Sequence, residues 1–135
     1  MERLARFGVS LPESLLEEFD SRIESAGYKN RSDALRNLIR DYIAESVWEK
    51  GTESVYGTVT ITYDHHSHDT AQELTALQHD FGHIIICSTH VHVDHDHCFE
   101  VVLLRGSSED VKRFVEGISG IKYVHSTKPV FTVLV

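Results

Sequence analysis

Cysteine is scarce in this chain of 135 residues: two thiols, Cys87 and Cys98, cannot build a disulfide framework. Long apolar runs are missing, and no stretch approaches the ~18 residues of a membrane span, so no transmembrane segment is expected. The opening MERLARFGVS lacks the apolar core and the small-residue cleavage site of a secretory signal. A cytoplasmic chain with free thiols is therefore expected. Positive charge is in the minority: 13 Lys and Arg against 21 Asp and Glu leave a net charge of −8. That balance argues against a chain that coats nucleic acid indiscriminately, though it leaves room for a small basic surface that reads DNA. Internal repeats and low-complexity tracts are absent. Histidine, too, is absent before residue 65.

After that point histidine dominates. Ten are present, at 65, 66, 68, 79, 83, 90, 92, 95, 97 and 125, and nine of them fall within residues 65–97. The rest of the composition, 41% hydrophobic and 25% charged, is that of a globular chain and not a disordered one.

Two halves differ in character, 1–50 and 51–135, with VWEKGTES (47–54) as the junction. In the first, RFGVSL (6–11) alternates Phe7, Val9 and Leu11 with Arg6, Gly8 and Ser10, the period of a short strand with one apolar face. Pro12 suits a helix start, and Glu13, Glu17 and Glu18 suit its positive end. Leu15, Leu16, Phe19 and Ile23 form a stripe that Gly27 terminates. A second helix is expected with Ser32 as its N-cap; Leu35, Leu38, Ile39, Tyr42 and Ile43 recur at helical spacing. Strand, helix, helix in so short a span buries too little, and its single strand has no partner. Two chains pairing their strands antiparallel would cure both defects, so an obligate dimer is expected.

The second half alternates differently. Residues 55–64 read as a strand, 69–81 as a helix, 84–93 and 98–105 as two strands. Ser107 or Ser108 caps a helix bearing Val111, Phe114, Val115 and Ile118, a fourth strand covers 121–126, and 130–135 adds a fifth extended segment. The order βαββαβ is that of a ferredoxin-like domain. The expected class is thus α+β.

The chemistry concentrates in HVHVDHDHCFE (90–100). His90 and His92 lie two apart on a strand and share a face. If His92 pairs with Cys98 across a five-residue loop, His90 pairs with Glu100, and all four share that face. A one-residue slip would put Phe99 among the histidines, so it is rejected. This reading places Val91, Phe99, Val101 and Cys87 against the helices, with Cys87 a buried small hydrophobe. It leaves Ile84, Ile86, Val102 and Leu104 on the ligand face in need of cover from another subunit. His79 then lies on the far side of its own sheet and reaches a site only in a neighbouring chain. Imidazole and thiolate donors favour nickel, copper, zinc or cobalt over hard cations.

RFGVSLPESLLEEFD and GYKNRSDALRNLIRDY resemble a ribbon-helix-helix DNA-binding domain, and YDHH, LQHD and HVHVDHDHC resemble an ACT-like metal-binding domain. Over essentially its full length the chain is similar to the nickel-responsive regulators of the NikR family. The resemblance implies one square-planar nickel(II) per subunit, bound by His90, His92 and Cys98 of one chain and His79 of another, with Glu100 orienting a ligand imidazole. It implies a homotetramer, a dimer of dimers, on palindromic double-stranded operator DNA. Arg6, Gly8 and Ser10 would face the major groove, with Arg31, Ser32 and nearby helix amides on phosphates. Gly8 departs from the family, which usually offers a hydroxyl there, so the operator should differ. The expected activity is repression of nickel-uptake genes when nickel is bound. Competing readings are a sensor of copper, cobalt or zinc, a metal-storage protein, or a metal hydrolase, the last lacking an evident general base. The charge divides accordingly, with eight basic and ten acidic residues in 1–50 and five and eleven in 51–135.

Overall fold

The computed structural model describes residues 2–50 and 54–133. The chain divides into two units, Met1–Ile39 and Arg40–Val135. The expected boundary at 50/51 abuts residues outside the described set, as does the end of the expected segment 130–135.

In the first unit, residues 2–12 form no ladder within the chain, because a strand without a neighbour has nothing to pair with. Phe7 and Val9 are accordingly exposed. Helix α1 (Glu13–Ser25) follows Pro12 directly. It ends as glycine dictates: Gly27 takes φ +84, its N–H donates to the Glu24 carbonyl at 3.0 Å, and the Tyr28 N–H donates to the Ile23 carbonyl at 3.0 Å. These two bonds satisfy carbonyls that the last turn would leave open. Helix α2 (Arg31–Lys50) begins one residue before the expected cap. Asn30 takes that role, its Oδ1 accepting from the Asp33 N–H at 2.9 Å, so Ser32 lies inside the first turn. No residue of α1 is buried, and Leu15, Leu38 and Ile39 are exposed. One copy of this unit cannot cover its own apolar stripe.

The second unit holds a four-stranded antiparallel sheet in the order β2-β3-β1-β4. The strands are β1 (Ser54–Asp64), β2 (Ile85–His92), β3 (His97–Ser107) and β4 (Val124–Thr132), with helix α3 (His68–Asp80) after β1 and helix α4 (Ser108–Ser119) after β3. This is the split βαβ order expected. Serines start both helices: Ser67 Oγ accepts from the Thr70 N–H at 3.4 Å and Ser107 Oγ from the Asp110 N–H at 3.2 Å. The expected fourth and fifth segments are one strand. Pro129 within it stands opposite Val59 on an edge strand, the place in a sheet where proline is tolerated.

The hairpin register is the expected one, His92 opposite Cys98 and His90 opposite Glu100. The face assignment is reversed. Cys98, Glu100, Val102 and Leu104 are buried, whereas Phe99 and Val101 are half-buried and Leu103 exposed. The ligand-bearing face is the helix-covered one. Strand β1 decides this: Tyr63, Ile61 and Val59 stand opposite Cys98, Glu100 and Val102, and all three are buried with Phe114, Val111, Ile118 and Leu74 of the helices. The cover that Ile84, Val102 and Leu104 require thus comes from the chain's own helices. Cys87, opposite Leu103, lies on the other face and is exposed, not buried.

Candidate metal centre and DNA-reading surface

The centre is built where three strand ends meet. The β1–β3 register sets Asp64 beside His97 and Tyr63 beside Cys98, while the β2–β3 register sets His92 on the other flank of Cys98. Cys98 is 1% exposed. Burial raises its thiol pKa, as do the charges of Glu100 and Asp64, while a hydrogen bond from Tyr63 opposes them by favouring the thiolate. Tyr63 itself is pushed up to about 12, first by burial and then by Glu100 and Cys98.

The sulfur is flanked by imidazoles. His65 Nδ1 lies 3.2 Å from Cys98 Sγ and His92 Nδ1 lies 3.8 Å from it. The two rings stand edge to face with centroids 4.3 Å apart. One ligand atom from each of His65, His92 and Cys98 falls within 4.8 Å of the others. Partial desolvation, then the neighbouring His92, His66, His95 and His90, lower the His65 pKa below its usual value. Two imidazole nitrogens and a sulfur within that reach fit nickel(II) and its borderline neighbours by donor type.

Of the residues expected from sequence, His92 and Cys98 converge. His90 lies beside His92, ring centroids 5.0 Å apart, and 6.0 Å from the Tyr63 ring, without joining the converging set. His79 is exposed near the end of α3, and not on the far side of the sheet: α3 packs on the ligand-bearing face, where the preceding residue, Gln78, donates Nε2–H to Glu100 Oε2 at 2.5 Å. Glu100 therefore has Gln78 as its hydrogen-bond partner, not an imidazole. The sequence leaves His65 among the unassigned histidines, as a candidate for a secondary metal and not as a neighbour of Cys98. The signal was present in the adjacent His65 and His66 directly after a strand whose end the sheet brings to Cys98.

On the first unit, Arg6, Gly8 and Ser10 are exposed. A Cβ on Gly8 would meet nothing within 4 Å, so packing does not demand glycine there. Arg31 is engaged: its Nε and Nη2 fork onto Asp20 at 2.8 and 2.7 Å, an arrangement that lowers the Asp20 pKa. Ser32 is exposed.

A helical pair after an extended segment, with a sheet that gathers imidazoles around a thiol, defines the class of metal-responsive DNA-binding regulators. Comparison with known proteins makes this specific. The model of the NikR C terminal nickel binding domain matches residues 56–132, and that of ribbon-helix-helix proteins of the CopG family matches residues 5–46. A nickel-responsive regulator of Solibacter usitatus is 47% identical over 124 residues, covering 92% of this chain and 89% of its own length. One from Geobacter sulfurreducens is 46% identical over 132 residues, covering 98% and 95%. One from Thermococcus onnurineus is 45% identical over 130 residues, covering 96% and 94%. An uncharacterized protein from Thermotoga maritima shares the fold, with TM-score 0.54 at 16% identity over 58% of this chain and 98% of that one. The chain belongs to the NikR family of nickel-responsive regulators. It is a nickel-responsive regulator with a ribbon-helix-helix DNA-binding domain, and not an enzyme. None of its described helices is long and apolar enough to cross a membrane.

Proposed function

We propose that the chain acts in the cytoplasm as a repressor of nickel-uptake genes, binding a palindromic operator as a homotetramer loaded with one nickel(II) per subunit. The observation that carries this reading is the convergence of His92 and Cys98, with His90 beside them, in a chain whose other unit is a ribbon-helix-helix domain. His90, His92 and Cys98 of one chain would hold the ion with His79 of a second. The exposure of His79 on α3 supports that role, since it stays available to a neighbour. A nickel(II) ion held there would supply a positive centre for these imidazole and thiolate donors.

The protein's own groups prepare this. Cys98 must surrender its proton, which burial retains and the Tyr63 hydroxyl helps to release. The Gln78–Glu100 hydrogen bond fixes α3 against β3. The exposed apolar residues of the first unit, Phe7, Val9 and Leu15 among them, support pairing of two such units into a DNA-binding dimer. Arg6 and Ser10 would then face bases, with Gly8 silent between them, and Ser32 and Arg31 would approach phosphates, Arg31 sharing its fork with Asp20. Coupling requires that the metal-loaded arrangement place two dimers on two half-sites better than the metal-free one.

Anisotropy titration of DNA upstream of nickel-transport or neighbouring genes, with and without nickel, copper, zinc and cobalt, tests the whole reading. Affinity should rise with nickel and fall back in Cys98→Ser. Equal affinity with and without nickel would overturn it, and a response confined to another ion would reassign the metal.

A further inference from the structure

Tyr123 holds a backbone conformation that its residue type resists. Its φ is +67, and among the described residues it is the one position other than glycine with a positive φ. Side-chain packing does not require this, since the ring is 49% exposed, with Lys122 Nζ 4.8 Å from its centroid. A left-handed residue of this kind persists only where its surroundings hold it. Here the hold is on two successive carbonyls. The Lys122 carbonyl accepts from Thr70 Oγ1–H at 2.7 Å, and the Tyr123 carbonyl accepts from the Asp64 N–H at 3.2 Å. We propose that Thr70 and Tyr123 form a clasp that positions helix α3, with its His79, and the end of β1, beside His65, for the metal centre. The inference rests on the reading that His79 serves the centre of a second chain.

Thr70 is 2% exposed, and it and Leu74 are the buried residues of α3. Its hydroxyl is fully engaged. With Thr70 Oγ1 donating to Lys122, the Ser67 hydroxyl, 2.7 Å away, supplies the hydrogen that Thr70 accepts. Ser67 Oγ also accepts from the Thr70 N–H, so the helix cap and the clasp are one network. Near the other end of α3, Gln78 donates to Glu100 of β3. One bond alone would leave the helix free to swing about it. Two bonds most of a helix length apart fix its axis, and with it the direction in which His79 projects.

The same turn brackets His65. Asp64 and Thr70 lie six residues apart and are held by neighbouring carbonyls, so the segment between them is fixed at both ends. His65, whose Nδ1 is 3.2 Å from Cys98 Sγ, follows Asp64 directly. The β1–β4 register shifts at this place, between Thr62 and Tyr63. Because peptide units are planar, φ and ψ of Tyr123 set the angle between the two carbonyls. The left-handed turn is therefore what lets one short segment serve a helix and a strand together.

The test reads the metal-free and nickel-loaded full chain separately. Thr70→Val keeps the shape of the side chain and removes the donor, whereas Thr70→Ser keeps the donor. In metal-free Thr70→Val, amide hydrogen exchange of α3 should quicken about tenfold. Its nickel affinity, measured in competition with a chromophoric chelator, should fall about tenfold. Thr70→Ser should restore most of both. Tyr123→Gly accepts a positive φ and should bind nickel like wild type, while the β-branched Tyr123→Val should weaken binding as Thr70→Val does, although both replace an exposed side chain. Val55→Ala, a cavity at the far end of β1, controls for general loss of stability and should leave nickel affinity unchanged. Exchange or nickel affinity of Thr70→Val indistinguishable from wild type would overturn the proposal. So would equal behaviour of the two Tyr123 variants, or a loss in Val55→Ala as large as that in Thr70→Val. A His79→Ala variant that binds nickel like wild type would instead count against the reading of His79, and the exchange of metal-free Thr70→Val, which needs no ion, still decides the clasp.

Discussion

Removing the Gln78 amide tests how the centre is positioned. Gln78 precedes His79 on α3, and Glu100 follows Cys98 by two residues on β3, so one hydrogen bond of 2.5 Å registers the helix against the thiol-bearing strand. Glu100 is only 8% exposed. Gln78→Ala would leave its carboxylate short of a donor in a place where water is poorly admitted. A hydrogen bond to a charged group contributes about 1.5–3 kcal/mol. The loss should appear as a lower urea midpoint of the metal-free chain, followed by circular dichroism, with an unchanged slope. A positioning role adds a second readout: nickel affinity, measured in competition with a chromophoric chelator, should fall about 10- to 100-fold. Combining Gln78→Ala with Glu100→Gln in a double-mutant cycle isolates the pair, and the two losses should fall short of additivity by more than about 0.5 kcal/mol. Stability within about 0.5 kcal/mol of wild type, the usual range for an inconsequential surface change, together with unaltered nickel affinity, would refute the reasoning.

Two further predictions concern the first unit. Gly8→Thr should leave thermal stability unchanged, because a Cβ there meets nothing within 4 Å, and should alter operator preference when binding is selected from randomised DNA. Asp20→Asn removes the fork that holds Arg31. Arg31 keeps the Asp20 carboxyl below 3.8, so the contribution of the pair is present above that pH and lost as pH falls through the lowered value. Denaturation of wild type and variant should therefore differ by a constant amount from pH 5 to 8 and converge in acid.

Much of this was legible in the chain. The βαββαβ order, the hairpin register at His92 and Cys98 and the helix stop at Gly27 follow from spacing and residue type. The orientation of the sheet did not follow from one hairpin, because apolar residues occupy both of its faces, Val91, Phe99 and Val101 on one and Ile84, Val102 and Leu104 on the other. Only a neighbouring strand breaks that tie. The alternation of Val59, Ile61 and Tyr63 with Thr58, Thr60 and Thr62 on β1 carries the deciding information. His65 was hidden for a related reason, since its approach to Cys98 depends on pairing between strands more than thirty residues apart. Asn30 took the cap from Ser32 because two polar residues so close in sequence both suit it, and the side-chain geometry chose. The alternation at 6–11 describes a strand in potential only, since the ladder that would complete it needs a second chain.

The strand order has a consequence for how the chain is born. Strand β1 takes β3 along one edge and β4 along the other, and β4 does not end until Thr132. Synthesis runs from the N-terminus, so the turn bearing His65, the helix bearing His79 and the hairpin bearing His90, His92 and Cys98 are all made before β4. A chain made as far as Ser107 already contains His65, His79, His90, His92 and Cys98, while the strand that pairs with the far edge of β1 has yet to be made. The residues of the candidate metal centre precede, in order of synthesis, the strand that finishes the sheet.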